Sequence, residues 1–357
     1  MRADRTARMA RPQNELRAPF MPASEITVGP VAVVIPCYKV RRHVLGVIEA
    51  IPPDVAQVWV VDDACPEHTG DYVEAQCRDP RVKVVRLAQN GGVGAAVMAG
   101  YGAALAAGAA IMVKIDGDGQ MPPSRIPQFI TPIQQGLADY TKGNRFFDPE
   151  SLAEMPGMRL FGNLMLSFLT KLSSGYWNVV DPTNGYTAID ARLVARLRMD
   201  KVATRYFFES DLLFRLGTLR AMVLDVPMRA EYPHGESSLS IGRVIGPFLA
   251  GNLRNFAKRI VYMYYLRDFS LGSLLLPLGL FLTAFGIAFG AVKWAHLMAL
   301  GATASAGTVM LAALPLILGI QMLLTFIQFD VQNVPRVPVG PLLGAIDDAA
   351  WREQSGA

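Results

Sequence analysis

Cysteine is scarce in this chain, and the first 30 residues lack the apolar run of a secretory signal. The three cysteines, Cys37, Cys65 and Cys77, are far apart and form no Cys-x-x-Cys pair. We therefore expect no disulfide framework, but three reduced thiols in a cytosolic domain. The arm before residue 31 carries several arginines and prolines, as disordered segments do. It either touches anionic lipid or is a solvated tail without a role.

Two binding signatures are also missing. The net charge is only +4 and the basic residues form no dense stripe, which argues against a nucleic-acid partner. The glycine run NGGVG at residues 90–94 has no Lys-Ser or Lys-Thr of a P-loop and lacks the full Gly-x-Gly-x-x-Gly spacing. We therefore interpret this run as a glycine turn that lets the next helix pack closely, and not as a phosphate-binding loop.

Between residues 31 and 232, short runs rich in valine and isoleucine alternate with segments of helical spacing. Strands buried on both faces of a parallel sheet have this nearly continuous apolar character. The alternation predicts a doubly wound α/β fold with a mostly parallel sheet, in which ligands bind at the carboxyl ends of the strands. The predicted strands are 31–35, 58–61, 82–87, 111–115 and 222–226, and the predicted helices are 41–50, 69–76, 94–107 and 124–135.

Hydrophobic residues make up 52% of the chain, and two long segments, 269–292 and 297–329, contain no charged residue. Each is long enough to cross a bilayer as a helix, which takes about 20 residues. We expect a hairpin of two transmembrane helices, joined by a tight turn at residues 293–296, with the second span beginning near Thr303. Basic residues cluster before the first span, whereas the connecting loop has only Lys293. The positive-inside rule then predicts a multi-pass protein of the inner (plasma) membrane, with the large domain and both termini cytoplasmic.

Two further segments have an amphipathic helical pattern. Residues 242–265 place apolar side chains at i+3 and i+4 steps, with Arg254 and Lys258 on another face. We interpret this segment as a helix in the membrane interface rather than one packed on the domain core. Residues 157–174 have an apolar stripe and a polar stripe that includes Arg159 and Asn163. For this second segment both interpretations stay open.

Two carboxylates, Asp116 and Asp118, directly follow the predicted strand at 111–115. Left alone they would repel each other, and a hard divalent cation such as Mg2+ or Mn2+ would resolve this. Gln120 offers a further, neutral oxygen ligand. A cation held by one or two carboxylates and completed by substrate phosphates suits nucleotide chemistry. The bare tripeptide, however, also occurs as a turn with two solvated acids.

Polar residues also follow the first two predicted strands. Asp62 and Asp63 are placed either to accept hydrogen bonds from a base or a ribose, or to cap the next helix. Pro36 and Tyr38 end the first strand, where the tyrosine either covers a nucleobase or is an ordinary surface aromatic.

From about residue 31 to residue 239, these segments together resemble glycosyltransferase family 2, which has the GT-A fold. The later segments resemble its polyprenyl-phosphate branch, which includes dolichol-phosphate mannose synthase and bacterial undecaprenyl-phosphate sugar transferases. Several members of that branch also end in a membrane hairpin. The resemblance rests on VVIPCYKV, WVVDDACPEHTG, NGGVGAAVMAGYGAAL, VKIDGDGQMPPSRI, KGNRF, VDPTNGYTAID, YFFESDLLFRLG and VPMRAEYPHGESSL.

The resemblance implies a role for each matching residue. The expected nucleotide contacts are Pro36, Tyr38, Asp62, Asp63 and Asp116; the metal and diphosphate ligands are Asp116, Asp118 and Gln120; the acceptor-phosphate contacts are Arg145, Arg159 and Asn163; the donor-sugar residues are Asp181 and Asn184; and the catalytic set is Asp116, Asp118, Arg145 and Arg159.

The sequence departs from the family pattern at two places. Lys39 and Val40 stand where Asn-Glu is usual, so one acidic nucleotide contact is missing. Ser238 stands where a lysine often contacts the diphosphate, and Arg229 or His234 is a candidate substitute. The Gln-x-x-Arg-Trp segment of processive polysaccharide synthases is absent from the sequence.

The expected organisation is a basic arm (1–30), a GT-A domain (31–240), an amphipathic interface helix (241–268), two transmembrane helices (269–330) and a cytoplasmic tail (331–357). The expected reaction is inverting transfer of a hexose from a nucleotide-diphosphate sugar to a polyprenyl phosphate. A phosphate monoester loses its second proton near pH ~6 and needs no strong base.

Two other functions stay open at this point. A hydroxyl acceptor on a glycan or glycolipid would need a carboxylate base, Glu209 or Asp211. A membrane protein that only binds nucleotide or recruits partners would need no reaction at all. A homo-oligomer packed through the spans is compatible with the sequence, but nothing in it requires one.

Overall fold

The computed structural model describes residues 29–147, 157–228 and 241–346, and all but the last two residues of the predicted basic arm and the end of the predicted tail lie outside these ranges. A seven-stranded sheet in the order β3-β2-β1-β4-β6-β5-β7 forms the centre of the first part of the chain. Only β6 runs against its neighbours. This arrangement confirms the predicted mostly parallel α/β fold. The strands are β1 (Val31–Cys37), β2 (Gln57–Asp62), β3 (Val82–Arg86), β4 (Ile111–Lys114), β5 (Tyr140–Asn144), β6 (Thr187–Asp190) and β7 (Val223–Pro227).

Helices cover both faces of the sheet because alternate strand residues point to opposite sides. Ala32 and Val34 of β1 belong to one core with the helices Val93–Ala106 and Phe208–Thr218, whereas Val33 and Ile35 belong to the other with the helices Val44–Glu49 and Ile126–Gln134. The helices of this part are α1 (Val44–Glu49), α2 (Thr69–Gln76), α3 (Val93–Ala106), α4 (Ile126–Gln134), α5 (Gly157–Ser174), α6 (Ala191–Arg196) and α7 (Phe208–Thr218), with short 3-10 turns at Pro123–Arg125 and Met199–Lys201.

The sequence pattern did not predict β5 and β6. Both strands are short and carry polar residues, as in YTKGN and TAID, although every residue in them is buried. Their apolar signal is therefore weak, and pairing with neighbouring strands determines their conformation. The reversed β6 lies between β4 and β5, so the chain before it, residues 181–186, is brought to the carboxyl end of β4.

The carboxyl ends of the parallel strands meet at one edge of the sheet, which we call the cleft edge. Register pairs Cys37 with Asp62, and Lys114 at the end of β4 pairs with Thr187 at the start of β6. In the loops after β1 and β2, Lys39 and Ala64 have positive φ angles of 59° and 47°. Non-glycine residues rarely adopt this conformation, and such strain concentrates at functional sites.

Helix α5 packs with its polar face inward. Ser167 Oγ donates to the carbonyl of Val180 at 2.8 Å, and Ser173 Oγ donates to Asn252 Oδ1 at 2.6 Å. On the opposite face Met165 and Phe168 are 46% and 49% exposed. Residues 157–174 were left open between a helix packed on the domain core and a helix in the membrane interface. The polar stripe packs on the domain, whereas the apolar stripe includes exposed residues.

The next helix, α8 (Ile241–Val261), continues into a π-helical segment, Tyr262–Arg267. One face of α8 packs on the domain, where Phe248 meets the ring of Phe207 edge to face at 5.5 Å. Leu249 and Leu253 on another face are 42% and 56% exposed. Core packing and an exposed apolar face therefore occur on the same helix, and its position in a membrane interface stays a prediction.

Two long apolar helices follow, α9 (Leu271–Ala299) and α10 (Ala306–Gln332). By length and composition both are suited to crossing a bilayer, which suggests a membrane protein. They pack closely through glycines: a Cβ on Gly286 would lie 2.8 Å from the backbone nitrogen of Leu316.

The predicted turn at residues 293–296 is wrong. Those residues continue α9, because nothing in Lys-Trp-Ala-His breaks a helix. The chain reverses instead at Gly301, which has φ +62°, and Ser305 caps α10 by accepting from the amide of Thr308. The second helix accordingly begins at Ala306 rather than near Thr303.

A buried cluster at Asp330, which we call the Asp330 junction, ties the last helix to the rest of the chain. Asp330 accepts two hydrogen bonds from Arg259, at 2.7 and 2.9 Å, one from Tyr264 at 2.5 Å and one from Trp177 at 2.8 Å. Trp177 belongs to the sheet domain, Arg259 to α8 and Tyr264 to the π-helical segment. The junction therefore fixes the sheet domain, the amphipathic helix and the apolar hairpin relative to one another.

Candidate functional site

Asp116 and Asp118 lie in the loop that follows β4 at the cleft edge, as the sequence predicted. The buried side chain of Ile115 anchors the start of this loop, and Gly117 packs so closely that a Cβ there would lie 3.1 Å from Val40. The side chain of Asp116 is 32% exposed. Asp118 Oδ1 accepts from the backbone amide of Gln120 at 3.0 Å, which closes a tight turn and leaves Gln120 exposed.

A lysine that the sequence analysis did not identify lies beneath this pair. Lys114 Nζ is 2.8 Å from Asp116 Oδ1 and 3.6 Å from Glu209 Oε1. We call these three residues the Lys114 triad. Burial alone would lower the pKa of Lys114, but the charges of Asp116 and Glu209 outweigh burial and raise it, which favours the charged ammonium. Its signal in the sequence is a lysine ending an otherwise apolar strand, IMVK.

The pKa of Asp118 is raised, mainly by burial and further by the charge of Asp116. Within the described ranges, no three Asp, Glu, His or Cys side chains converge as a ready-made metal cage. A divalent cation completed by substrate phosphates needs only one or two carboxylates, and it would relieve the cost of holding Asp118 charged. The donor set of Asp116, Asp118 and Gln120 thus fits a hard cation that arrives with a diphosphate.

The structure joins Arg145 to Asp181, two residues to which the sequence analysis gave separate roles. Arg145 Nε donates to Asp181 Oδ2 at 2.7 Å and Nη2 donates to Oδ1 at 2.9 Å. Asp181 is fully buried, whereas the side chain of Arg145 is 25% exposed. The buried carboxylate therefore holds the guanidinium in one orientation at the cleft edge.

Asn184 is buried and organises the loop before β6. Its Oδ1 accepts from the amide of Tyr186 at 2.9 Å, and its carbonyl accepts from the ammonium of Lys142 in β5. Burial lowers the pKa of Lys142 to about 8. Lys142 is a second residue that the sequence analysis missed, although it is part of the KGNRF segment. With Arg145 it fastens residues 181–184 to the end of β5.

Asp62 and Asp63 lie at the cleft edge, but backbone amides occupy their carboxylates. Asp62 accepts from the amides of Cys65 at 2.7 Å and Gly70 at 2.6 Å. Asp63 accepts from the amides of Gly91 and Gly92 at 2.7 and 2.8 Å. Both residues therefore shape the loops around the cleft, and any contact with a nucleotide stays a prediction.

Pro36 and Tyr38 lie at the end of β1, beside the carboxylate loop. Tyr38 is 45% exposed, and Lys39 Nζ lies 5.5 Å from the centre of its ring. An exposed ring with a cation nearby is available for stacking, and a nucleobase contact stays a prediction here as well.

The predicted acceptor-phosphate residues are described only in part. Arg159 and Asn163 lie in α5, and the side chain of Arg159 is outside the described residues. Arg229 and His234, the candidate substitutes for the missing lysine, are outside them as well. Their predicted roles therefore rest on the sequence alone.

The two candidate bases have different surroundings. Asp211 is buried and accepts from Asn255 Nδ2, from Arg215 Nε and from the amide of Ala203, so its oxygens are committed to packing α7 and α8. Glu209 belongs to the Lys114 triad, and its side chain is 16% exposed. Of the two, Glu209 is the one that adjoins the carboxylate pair.

Several known proteins are similar to this chain in sequence. An undecaprenyl-phosphate mannosyltransferase of Micrococcus luteus is 29% identical over 60% of this chain and 89% of its own length. A polyprenol monophosphomannose synthase of Mycolicibacterium smegmatis is 28% identical over 55% of this chain and 75% of its own. A UDP-N-acetylglucosamine–dolichyl-phosphate N-acetylglucosaminyltransferase of Methanococcus voltae is 27% identical over 60% and 90%.

Among solved structures, mannosyl-3-phosphoglycerate synthase from Rubrobacter xylanophilus superposes with a TM-score of 0.49 at 19% identity, over 68% of this chain and 77% of that one. The family model named glycosyl transferase family 2 matches residues 32–198, which include the carboxylate loop, Arg145 and residues 181–184. This part of the chain therefore belongs to glycosyl transferase family 2.

Proposed function

We propose that the chain transfers a hexose from a nucleotide-diphosphate sugar to a polyprenyl phosphate, with inversion at the anomeric carbon and with Mg2+ or Mn2+ bound. The names of the relatives support this acceptor, since all three refer to a polyprenyl or dolichyl lipid carrier. The family assignment supports the reaction type. Sugar and nucleotide are not specified by either.

The observation that carries the proposal is the orientation of α5. This helix turns serine and threonine side chains toward the domain and exposes Met165 and Phe168, an arrangement that suits contact with lipid. Its first turns hold Arg159 and Asn163, the predicted contacts of the acceptor phosphate. The two apolar helices then follow in the same chain. An acceptor whose tail stays in the bilayer needs only to raise its phosphate to this surface.

The residues at the cleft edge suit the chemistry of such a transfer. A phosphate acceptor is already an anion near neutral pH, so its oxygen attacks the anomeric carbon without a base while the bond to the nucleoside diphosphate breaks. Arg145, held by Asp181, would present a fixed positive charge to the incoming phosphate. A cation held by Asp116, Asp118 and Gln120 would neutralise the departing diphosphate.

In this proposed function the sheet domain and both chain termini lie in the cytoplasm. Arg254, Lys258 and Arg267 precede α9, whereas the far end of the hairpin has only Lys293. Nucleotide sugars would then meet the cleft edge from the cytoplasm and the lipid would meet it from the membrane.

The test is a screen of radiolabelled nucleotide sugars against undecaprenyl phosphate, with Mg2+, with Mn2+ and with chelator, using the full chain in lipid nanodiscs. We expect the label to pass into the organic phase as an acid-labile glycosyl phospholipid with at least one donor. Asp118→Ala should abolish the transfer, because it removes a ligand of the cation that would neutralise the departing diphosphate. Exposed Asp200 provides a matched control, and Asp200→Ala should transfer at the wild-type rate.

Label that appears only on a glycan or glycolipid hydroxyl would instead favour the second acceptor class, with Glu209 as base. Near-normal transfer by Asp118→Ala would contradict the proposed role of the carboxylate pair. Full transfer in the presence of chelator would contradict the proposed metal.

A further inference from the structure

Lys114 occupies a position for which neither packing nor strand pairing requires a charge. It is the last residue of β4, 1% exposed, between Val34 of β1 and Thr187 of β6. Burying an ammonium is costly unless anionic partners compensate it. Its two partners, Asp116 and Glu209, come from different elements, the carboxylate loop and the first turn of α7.

The first consequence concerns the two oxygens of Asp116. Oδ1 lies 2.8 Å from the ammonium and is committed to it. Oδ2 is left for other partners and faces the backbone of Gly185, where a Cβ would lie 2.7 Å from it. The same Cβ would lie 2.5 Å from Lys114 Nζ. The carboxylate thus lies between a lysine and a glycine, and the oxygen that is not paired with the ammonium is the one better suited to a cation.

The second consequence concerns Glu209. The ammonium draws this carboxylate to the same point, so that α7 is fastened to the carboxyl end of β4. Without the lysine, Asp116 and Glu209 would face each other as two like charges in a buried setting, and the loop would lose the contact that orients it. The position of Asp116 and the neutralisation of its charge and that of Glu209 therefore both depend on Lys114.

We propose that Lys114 is a positioning residue of the diphosphate site, which holds Asp116 so that a single oxygen is directed at the divalent cation. The inference rests on the proposed function, because it takes Asp116 as a metal ligand. A cation next to a metal ligand repels the metal, so its removal should tighten metal binding if its effect is electrostatic alone. If Lys114 positions Asp116, its removal should weaken metal binding instead.

The experiment measures the affinity for Mn2+ alone by electron paramagnetic resonance, on the full chain in nanodiscs, together with the melting temperature. The variants are Lys114→Met, Glu209→Gln and the double variant. We expect Lys114→Met to weaken Mn2+ binding by about 10- to 100-fold, as the loss of an outer partner of a metal ligand does. Glu209→Gln should change the affinity by less than about threefold. The double variant should melt at a higher temperature than Lys114→Met but bind Mn2+ equally weakly.

Lys142→Met is the matched control. Lys142 is also a fully buried strand lysine, but its ammonium donates to the carbonyl of Asn184 and not to a carboxylate. It should lower the melting temperature but weaken Mn2+ binding by less than Lys114→Met does, because Lys142 contacts the loop before β6 and not Asp116 itself.

Unchanged or tighter Mn2+ binding by Lys114→Met, in a protein whose wild type transfers sugar, would overturn the inference and leave the proposed function intact. A wild type that binds no Mn2+ and transfers sugar without metal would refute the metal site and the inference with it. A double variant that recovers Mn2+ affinity would also overturn it, because Lys114 would then serve only to neutralise Glu209.

Discussion

Two ion clusters of this chain differ in whether their carboxylate oxygens are all used by partners within the protein. In the Asp330 junction a single carboxylate receives four hydrogen bonds, so both of its oxygens are fully used. In the Lys114 triad a single ammonium is shared by two carboxylates, and Asp116 is still 32% exposed. A closed cluster of this kind joins elements, whereas an open one keeps capacity for a ligand. The comparison separates the residues that hold this fold from those that could act on a substrate.

The largest effect is expected from breaking the closed cluster. Asp330→Asn leaves the buried Arg259 without its anionic partner, and breaking a buried pair in this way costs about 3–5 kcal/mol. The melting temperature in nanodiscs should fall by roughly 10 °C. Transfer measured per folded molecule at low temperature should change little, because no member of the junction lies at the cleft edge.

The matched control replaces both charges, in Arg259→Met with Asp330→Leu. A hydrophobic replacement of a buried pair is often neutral, so most of the stability should return. A double variant that is as unstable as Asp330→Asn would show that the hydrogen bonds of Trp177 and Tyr264, rather than the ion pair, hold the junction.

Gly185→Ala should change the free energy of unfolding less than Asp330→Asn does. Its effect should be confined to the Lys114 triad. The added Cβ meets the ends of three movable side chains, Lys114, Asp116 and Met121, within 2.9 Å. These side chains can shift at little cost in stability, but the Asp116 carboxylate must move. A displacement of about 1 Å at a reacting centre costs about 100-fold in rate. We expect a loss of 10- to 100-fold in kcat, with a melting temperature within about 3 °C of the wild type.

Gly217→Ala provides the opposite case. Its Cβ would lie 2.4 Å from the backbone oxygen of Ser174, which cannot move aside as a side-chain end can. This variant should lose stability and keep its transfer rate per folded molecule. If Gly185→Ala proved the less stable of the two, the clash at Gly185 would belong to the fold and not to the site.

The sequence predicted one side of this comparison better than the other. Asp116 and Asp118 follow a predicted strand, and parallel strands bring their carboxyl ends to one edge, so the periodicity was enough to place them there. Arg145 follows β5, which the periodicity missed, and its assignment came from the family resemblance. Lys114 could not be assigned in this way, because its partner Glu209 is 95 positions away in the sequence and meets it only after α7 packs on the sheet.

The closed cluster depends on tertiary contacts to a still greater degree. Asp330 ends an otherwise charge-free segment, and nothing in the local pattern pairs it with Arg259 or Trp177. The same limit explains the missed strands β5 and β6, whose polar residues are buried only because neighbouring strands and loops supply their hydrogen bonds. The turn at residues 293–296 was mispredicted for a different reason, since absence of charge cannot locate the end of an apolar helix.

The smallest effect is expected at Asp225, a half-buried carboxylate that belongs to neither cluster. Its Oδ2 accepts from Asn144 and from the amide of Val180, while its buried Oδ1 has no partner among the described residues. Burial raises its pKa to about 6, against the opposing charges of Lys142 and Lys171. The native state therefore binds a proton more tightly than the unfolded chain, whose aspartates titrate near 3.9. The stability that comes from this proton is complete below the unfolded pKa and is lost as the pH rises through about 6.

Asp225→Asn should accordingly raise the free energy of unfolding by about 1–3 kcal/mol at pH 8 and by little at pH 4, when the wild-type carboxyl is already neutral. Melting curves of both proteins across this pH range, with Asp200→Ala as an exposed control, measure the difference. A constant difference across the range would mean that the gain does not come from the charge. A loss of transfer without any gain in stability at pH 8 would mean that the unpaired oxygen of Asp225 serves the site, as that of Asp116 does, and is not merely a cost of burial.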